Sequence, residues 1–277
     1  VLSEDEEFPS SYSPFTPDER SSKRPRSVSA LYSSENESES MSTRRSSLGA
    51  SSIQFPPLHF AYAPDNQYFD IIRESMDQLL DAAKTNKKSS GWRNFELKND
   101  VLITRRKTKG TPFFCQKGIG EIGADVETIK NAIISFENQS SWDPLLKQSS
   151  IIESISDQCK VIHAIYETKV CVIKQSRDFC YVTYWRRDKK GNVFIVGRSI
   201  QHDKCPIDPS RIRGEVIGSG WIIEPKNQAD GAIGESKVTY VTQVDPKEVP
   251  VPIVNLIAER QPLNIASLRR KITGSRN

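Results

Sequence analysis

Histidine is scarce, with three residues among 277, and the five cysteines at 115, 159, 171, 180 and 205 show neither CxxC nor zinc-finger spacing. These absences leave no ligand pattern for a metal site, and no metal or other cofactor is expected. No run approaches the roughly 18 consecutive apolar residues of a membrane-spanning helix. The opening residues, Val1-Leu2-Ser3-Glu4-Asp5-Glu6-Glu7, have neither the basic nor the apolar region of an export signal. With no export signal and an odd cysteine count, the thiols read as reduced, mostly buried in strands, in a cytoplasmic protein. An initiator Met is also lacking, so the expectation is a fragment of a longer chain. Apolar residues make up only 36%, below the roughly 45–50% (counting Gly) usual for globular domains.

That shortfall is concentrated at one end. Residues 1–66 hold seventeen serines, with six basic and ten acidic residues, whereas the rest carries 33 basic and 25 acidic residues. Residues 1–66 therefore read as a disordered acidic linker, because Phe8, Phe15 and Leu31 follow no period that could form a buried face. Ser27, Ser46 and Ser47 follow arginines, as basophilic kinases prefer, and are candidate phosphorylation sites. The alternative is an inert linker. A core-forming domain is expected over 67–274, with 275–277 as a tail.

Periodicity places helices and strands within that domain. Phe69, Ile72, Met76, Leu79, Leu80 and Ala83 recur at helical steps and predict a helix over 68–84, capped by Asp65 or Asn66. Three strands follow (92–98, 101–107 and 113–122), with Lys98-Asn99-Asp100 as a turn. A helix over 125–136 begins at Asp125. Six further strands are expected at 145–154, 159–168, 177–187, 192–200, 211–224 and 237–244. A final helix over 253–273 should kink at Pro262. Nine strands in succession without crossover helices predict an antiparallel α+β fold, a curved sheet enclosing space beneath the last helix.

Four pieces then stand in a familiar order: Trp142-Asp143, Arg177-Asp178-Phe179, Arg213-Gly214-Glu215 and Gly220-Trp221-Ile222-Ile223-Glu224-Pro225. Together they resemble the START domain, a lipid-transfer family, over roughly residues 68–273. Arg177-Asp178-Phe179-Cys180 and Arg260-Gln261-Pro262-Leu263 look closest to the START domains of kinesin-like proteins. That narrower resemblance implies a cytoskeletal association through other parts of a longer chain. The family resemblance implies a helix-grip fold, a nine-stranded antiparallel sheet curved around a long C-terminal helix, with an internal lipid tunnel. It also implies one bound lipid as partner, a transient membrane surface and a monomeric domain; no nucleic acid is expected, because the aromatics among the basic residues of Tyr181–Arg187 read as buried.

Strand parity puts Phe179, Tyr181, Thr183 and Trp185 on one face, and Asp178, Cys180, Val182 and Tyr184 on the other. The candidate lipid-contacting residues are His163, Ile165, Tyr181, Thr183, Trp185, Val216, Ile257, Leu268 and Ile272. His163 also reads as a core histidine bonded to backbone. In sterol- and phosphatidylcholine-binding relatives the position of Thr183 is commonly an arginine paired with a buried acid. The threonine here favours a sterol or another weakly polar lipid, and Glu167 is the nearest acid. Arg177 and Asp178 read as an ion pair holding a loop over 169–176. In that loop, Val170, Val172 and Ile173 between lysines form a candidate membrane contact, with Pro262 as a hinge of the gate.

Catalysis has little support. Gly218-Ser219-Gly220 is not GxSxG and reads as a bulge or a close helix approach. Gly118-Ile119-Gly120 lies in a strand without a phosphate-cradling helix. No catalytic residue is expected, and the protein does not read as an enzyme. The other reading of the fold is a lipid-free docking module of a larger protein.

Overall fold

Alternating side chains and tight turns generate most of this molecule. The computed structural model describes residues 67–83, 91–170, 173–226 and 234–274, with side chains at 94, 95, 168–170, 173–175 and 256 excepted. Ser27, Ser46, Ser47, the expected caps Asp65 and Asn66, Val172 and the 275–277 tail lie outside the described residues.

The strands are β1 (Arg93–Lys98), β2 (Val101–Lys107), β3 (Phe114–Ile122), β4 (Leu146–Ser154), β5 (Cys159–Val170), β6 (Ile173–Arg187), β7 (Val193–Ser199), β8 (Ile212–Arg213), β9 (Glu215–Pro225) and β10 (Ser236–Asp245). Nine run in the order β1-β2-β3-β10-β9-β7-β6-β5-β4, and β8 pairs alongside β6. Every neighbouring pair on the main path is antiparallel. Short turns explain this: Asn99 and Asp100 both take positive φ (49° and 54°), the geometry of a two-residue hairpin. At the β6–β7 turn the Asp188 carboxylate accepts from the backbone amides of Lys190 and Asn192.

Two expectations need correction. The loop expected over 169–176 is mostly strand, since β5 and β6 stay paired out to Val170 opposite Ile173. β-Branched residues at both places favour the extended chain, a preference that the interleaved lysines obscured. The single strand expected over 211–224 is interrupted at Gly214. A Cβ there would lie 2.3 Å from the Phe179 ring, so only glycine fits between β8 and β9.

Helices cover both faces of the sheet. α1 (Phe69–Ala83) lays Ile72, Met76, Leu79 and Ala82 on the outer face, against Cys180, Val182, Val196, Ile222 and Val241. Gly220 permits this approach, because a Cβ there would come within 2.8 Å of Leu79. α2 (Val126–Ile134) starts at Asp125, whose carboxylate accepts from the Thr128 amide at 2.8 Å. The last helix is broken as expected, into α3 (Val251–Ala258), a 3-10 turn over Gln261–Leu263 and α4 (Asn264–Thr273). α2 and α4 pack on the inner face with Ile195, Trp221, Ile223 and Val238. Gly118 admits the break: its Cβ would stand 2.9 Å from Pro262.

The described cysteines 115, 159, 180 and 205 are free and buried, and Cys115 yields a test of the outer core. Burial is the largest influence on its thiol and pushes it up to about 11. Its neighbour Lys117, buried across the Trp92 ring and donating to the Ala82 carbonyl, is pushed down to about 8. An acid with a raised folded pKa stabilises below its unfolded pKa, and that contribution is lost as pH climbs to the folded value. Between pH 9 and 11 the protein should therefore lose about 2–3 kcal/mol more than Cys115→Ala does. Urea denaturation of both at each pH measures the difference, and equal losses would rule out a buried protonated thiol.

Candidate functional site

A cavity of about 410 Å³ lies between the inner face of the sheet and the covering helices. Its walls are mostly apolar. β6 contributes Phe179, Tyr181 and Thr183; β9 contributes Val216 and Trp221; α3 contributes Val254, Ile257 and Ala258. Alternation along β6 supplies the first group, since every second side chain of a strand shares a face.

Four of the residues chosen from the sequence, Tyr181, Thr183, Val216 and Ile257, line this cavity. Five do not. His163 and Ile165 sit opposite Cys180 and Asp178 in the ladder, and so share the outer face with them. Trp185 has the cavity's parity but lies beyond its end, where its indole N–H donates to the Asp157 carbonyl and Lys130 covers its ring. Leu268 and Ile272 pack with α2 and the inner core. Of the gate residues, Pro262 is buried against β3, and Val170 and Ile173 are described only as paired backbone.

The Arg177–Asp178 ion pair does not form, because consecutive strand residues point to opposite faces. Asp178 turns outward and holds Arg213 through two contacts, Nε to Oδ1 at 3.1 Å and Nη2 to Oδ2 at 2.8 Å. His163 lies at 3.0 Å from the same carboxylate. Burial opposes the charge on Asp178, but the Arg213 and His163 bonds outweigh it and hold the pKa below the ordinary value. Arg177 turns inward, where its Nε donates to the Pro246 carbonyl at 2.7 Å and Nη2 to that of Lys247 at 3.4 Å.

The polar groups of the cavity mostly serve the protein itself. The Thr183 hydroxyl donates to the Val196 carbonyl at 2.9 Å. Ser219, Thr242 and Gln261 form a chain in which Thr242 Oγ1 lies 3.1 Å from Ser219 and 2.9 Å from Gln261 Oε1. Glu167 is not the cavity's acid. It pairs with Lys147, two residues along the strand from the outward Ile165.

The cavity's acid is Asp143, a residue that composition and periodicity did not single out as a site. Its carboxylate accepts from the Leu145 amide at 3.1 Å, the Asn264 amide at 3.2 Å and the Tyr166 hydroxyl. Burial raises its pKa, and the Leu145 and Asn264 bonds act against that rise. Its signal in the sequence is the Trp142-Asp143 pair, but nothing local shows which strand the acid meets. Burial also raises Tyr166 well above the ordinary phenol value, and raises Tyr181 and Tyr240. All three phenols therefore remain neutral. Among the described residues no cluster of His, Cys, Asp and Glu could hold a metal ion.

Comparison with known proteins matches the START domain family profile to residues 71–272. An Arabidopsis thaliana protein called ENHANCED DISEASE RESISTANCE 2-like is 24% identical over 193 residues, covering 66% of this chain and 27% of that protein. StAR-related lipid transfer protein 9 of Mus musculus is 23% identical over 251 residues, 82% of this chain but 5% of that protein. The chain thus spans 27% or less of the length of these relatives. Among solved structures, human StAR-related lipid transfer protein 5 superposes with a TM-score of 0.67 at 18% identity, covering 74% of this chain and 96% of that one. A StAR-related lipid transfer protein fragment from Xanthomonas axonopodis gives 0.56 at 16% identity, covering 66% and 98%.

Proposed function

The chain belongs to the START domain family, and on that premise we propose that it takes up one weakly polar lipid, such as a sterol, and carries it between membranes. The observation that supports this most is the mostly apolar cavity, whose Arg177 and Asp143 side chains already bond to protein groups. Apolar ligand area removed from water contributes roughly 25 cal/mol per Å², which favours extraction into such a space. No described helix is long and apolar enough to cross a membrane.

Access runs beneath α3 in this proposal. That helix meets the sheet through the Asn255 side chain, which accepts from the Phe114 amide at 3.1 Å, and through the Glu259–Arg105 ion pair. The 3-10 turn at Pro262 separates its motion from α4. Val170, Val172 and Ile173 are proposed to touch the membrane during exchange. The finer likeness to kinesin-like proteins, with its cytoskeletal association, rests on residues 177–180 and 260–263.

Transfer of a fluorescent 3-hydroxysterol from donor to acceptor vesicles tests the proposal. Substoichiometric full chain should raise the transfer rate in proportion to its concentration. A rate equal to that of buffer alone would contradict it.

A further inference from the structure

We propose that the Tyr181 phenol receives the ligand's single polar group, and that this group is an uncharged hydroxyl. The inference rests on the lipid-carrier reading above and specifies what the cavity selects.

The charges argue first. Among the described lining residues three carry charged side chains: Arg177, Asp143 and Arg260. Arg177 is bound to the carbonyls of Pro246 and Lys247. Asp143 accepts from Leu145, Asn264 and Tyr166. Arg260 is exposed. A phosphate in the interior would compete with those carbonyls for Arg177, and displacing them would leave them buried and unpaired. The resident groups therefore select against a phosphate-bearing lipid.

The phenols argue second. Tyr166 and Tyr240 line the same cavity, and each already has a partner, Asp143 and Thr242 respectively. Tyr181 lines the cavity, half-buried, and its hydroxyl has no hydrogen-bond partner among the described residues. A hydroxyl that opens onto a cavity can be satisfied only by what enters it, and a ligand without a polar group would leave it buried and unpaired. The Trp221 N–H, stacked on Tyr240 with ring centroids 3.9 Å apart, also lacks a described partner. It can only donate, whereas the phenol both donates and accepts, as a ligand hydroxyl does.

Full-chain titrations with a fluorescent 3-hydroxysterol and its 3-deoxy analogue test this in the wild type and in Tyr181→Phe. The wild type should bind the hydroxysterol about 3- to 10-fold more tightly than the analogue. In Tyr181→Phe that ratio should fall to about one with the analogue's affinity unchanged, which also shows that the cavity is intact. A ratio retained in the variant would overturn the role of Tyr181. A fluorescent phosphatidylcholine bound by the wild type as tightly as the hydroxysterol would overturn the uncharged class. If the wild type binds neither sterol nor phosphatidylcholine, the inference falls together with the carrier reading.

Discussion

Asp178→Ala should cost about 3–5 kcal/mol and lower Tm by roughly 10 °C. Asp178 is 1% exposed, and its carboxylate ties three separate segments together. It stands on β6, bonds Arg213 on β8 and lies against His163 on β5. Removing it leaves the Arg213 guanidinium, 18% exposed, with the carbonyls of Cys205 and Pro206 and the Cys205 sulfur but no described anion. Urea denaturation at pH 7 measures the loss. The difference should also shrink in acid. Because the folded pKa is held below its ordinary value, the stabilisation is full above the unfolded pKa and disappears as pH falls through the folded one. A loss below 1 kcal/mol at pH 7 would mean that the pair is loosely held.

Thr183→Arg should cost several kcal/mol and abolish sterol uptake. Thr183 is 6% exposed and faces the cavity, so a guanidinium there enters a space whose acid already has three donors. An unmatched buried cation is among the most costly substitutions, and the longer side chain also fills ligand volume. Thr183→Val is the control. It removes the hydroxyl's bond to Val196, which should cost about 0.5–1.5 kcal/mol while sterol affinity remains unchanged. Thermal melts and sterol titrations of both variants separate the effects. An arginine variant that melts near the wild type and gains phosphatidylcholine binding would show that Asp143 can be recruited as its partner.

Much of the architecture was legible because its causes are local. The two-residue turn at Asn99-Asp100, the Asp125 cap and the break at Pro262 each follow from a few neighbouring residues. Parity along β6 separated the Phe179, Tyr181 and Thr183 face from the Cys180 and Val182 face, because strand periodicity is intrinsic to the backbone. The same rule, applied to Arg177 and Asp178, excludes an ion pair between adjacent strand residues. What was not legible depended on register between distant segments. His163 faces outward because it stands opposite Cys180, and one residue of slip would reverse it. Asp143 becomes the cavity's acid only when β5 brings Tyr166 and α4 brings Asn264 to it. Leu268 and Ile272 carried the apolar stripe of the last helix. A stripe shows that a face is buried, and does not distinguish burial against core from burial against a cavity.

Native mass spectrometry after incubation with vesicles containing equal amounts of a 3-hydroxysterol and phosphatidylcholine tests the central claim most directly. The full chain should retain one sterol molecule per protein, and Thr183→Arg should retain none. A wild-type chain recovered without lipid, or carrying phosphatidylcholine instead, would contradict a cavity built for one weakly polar lipid.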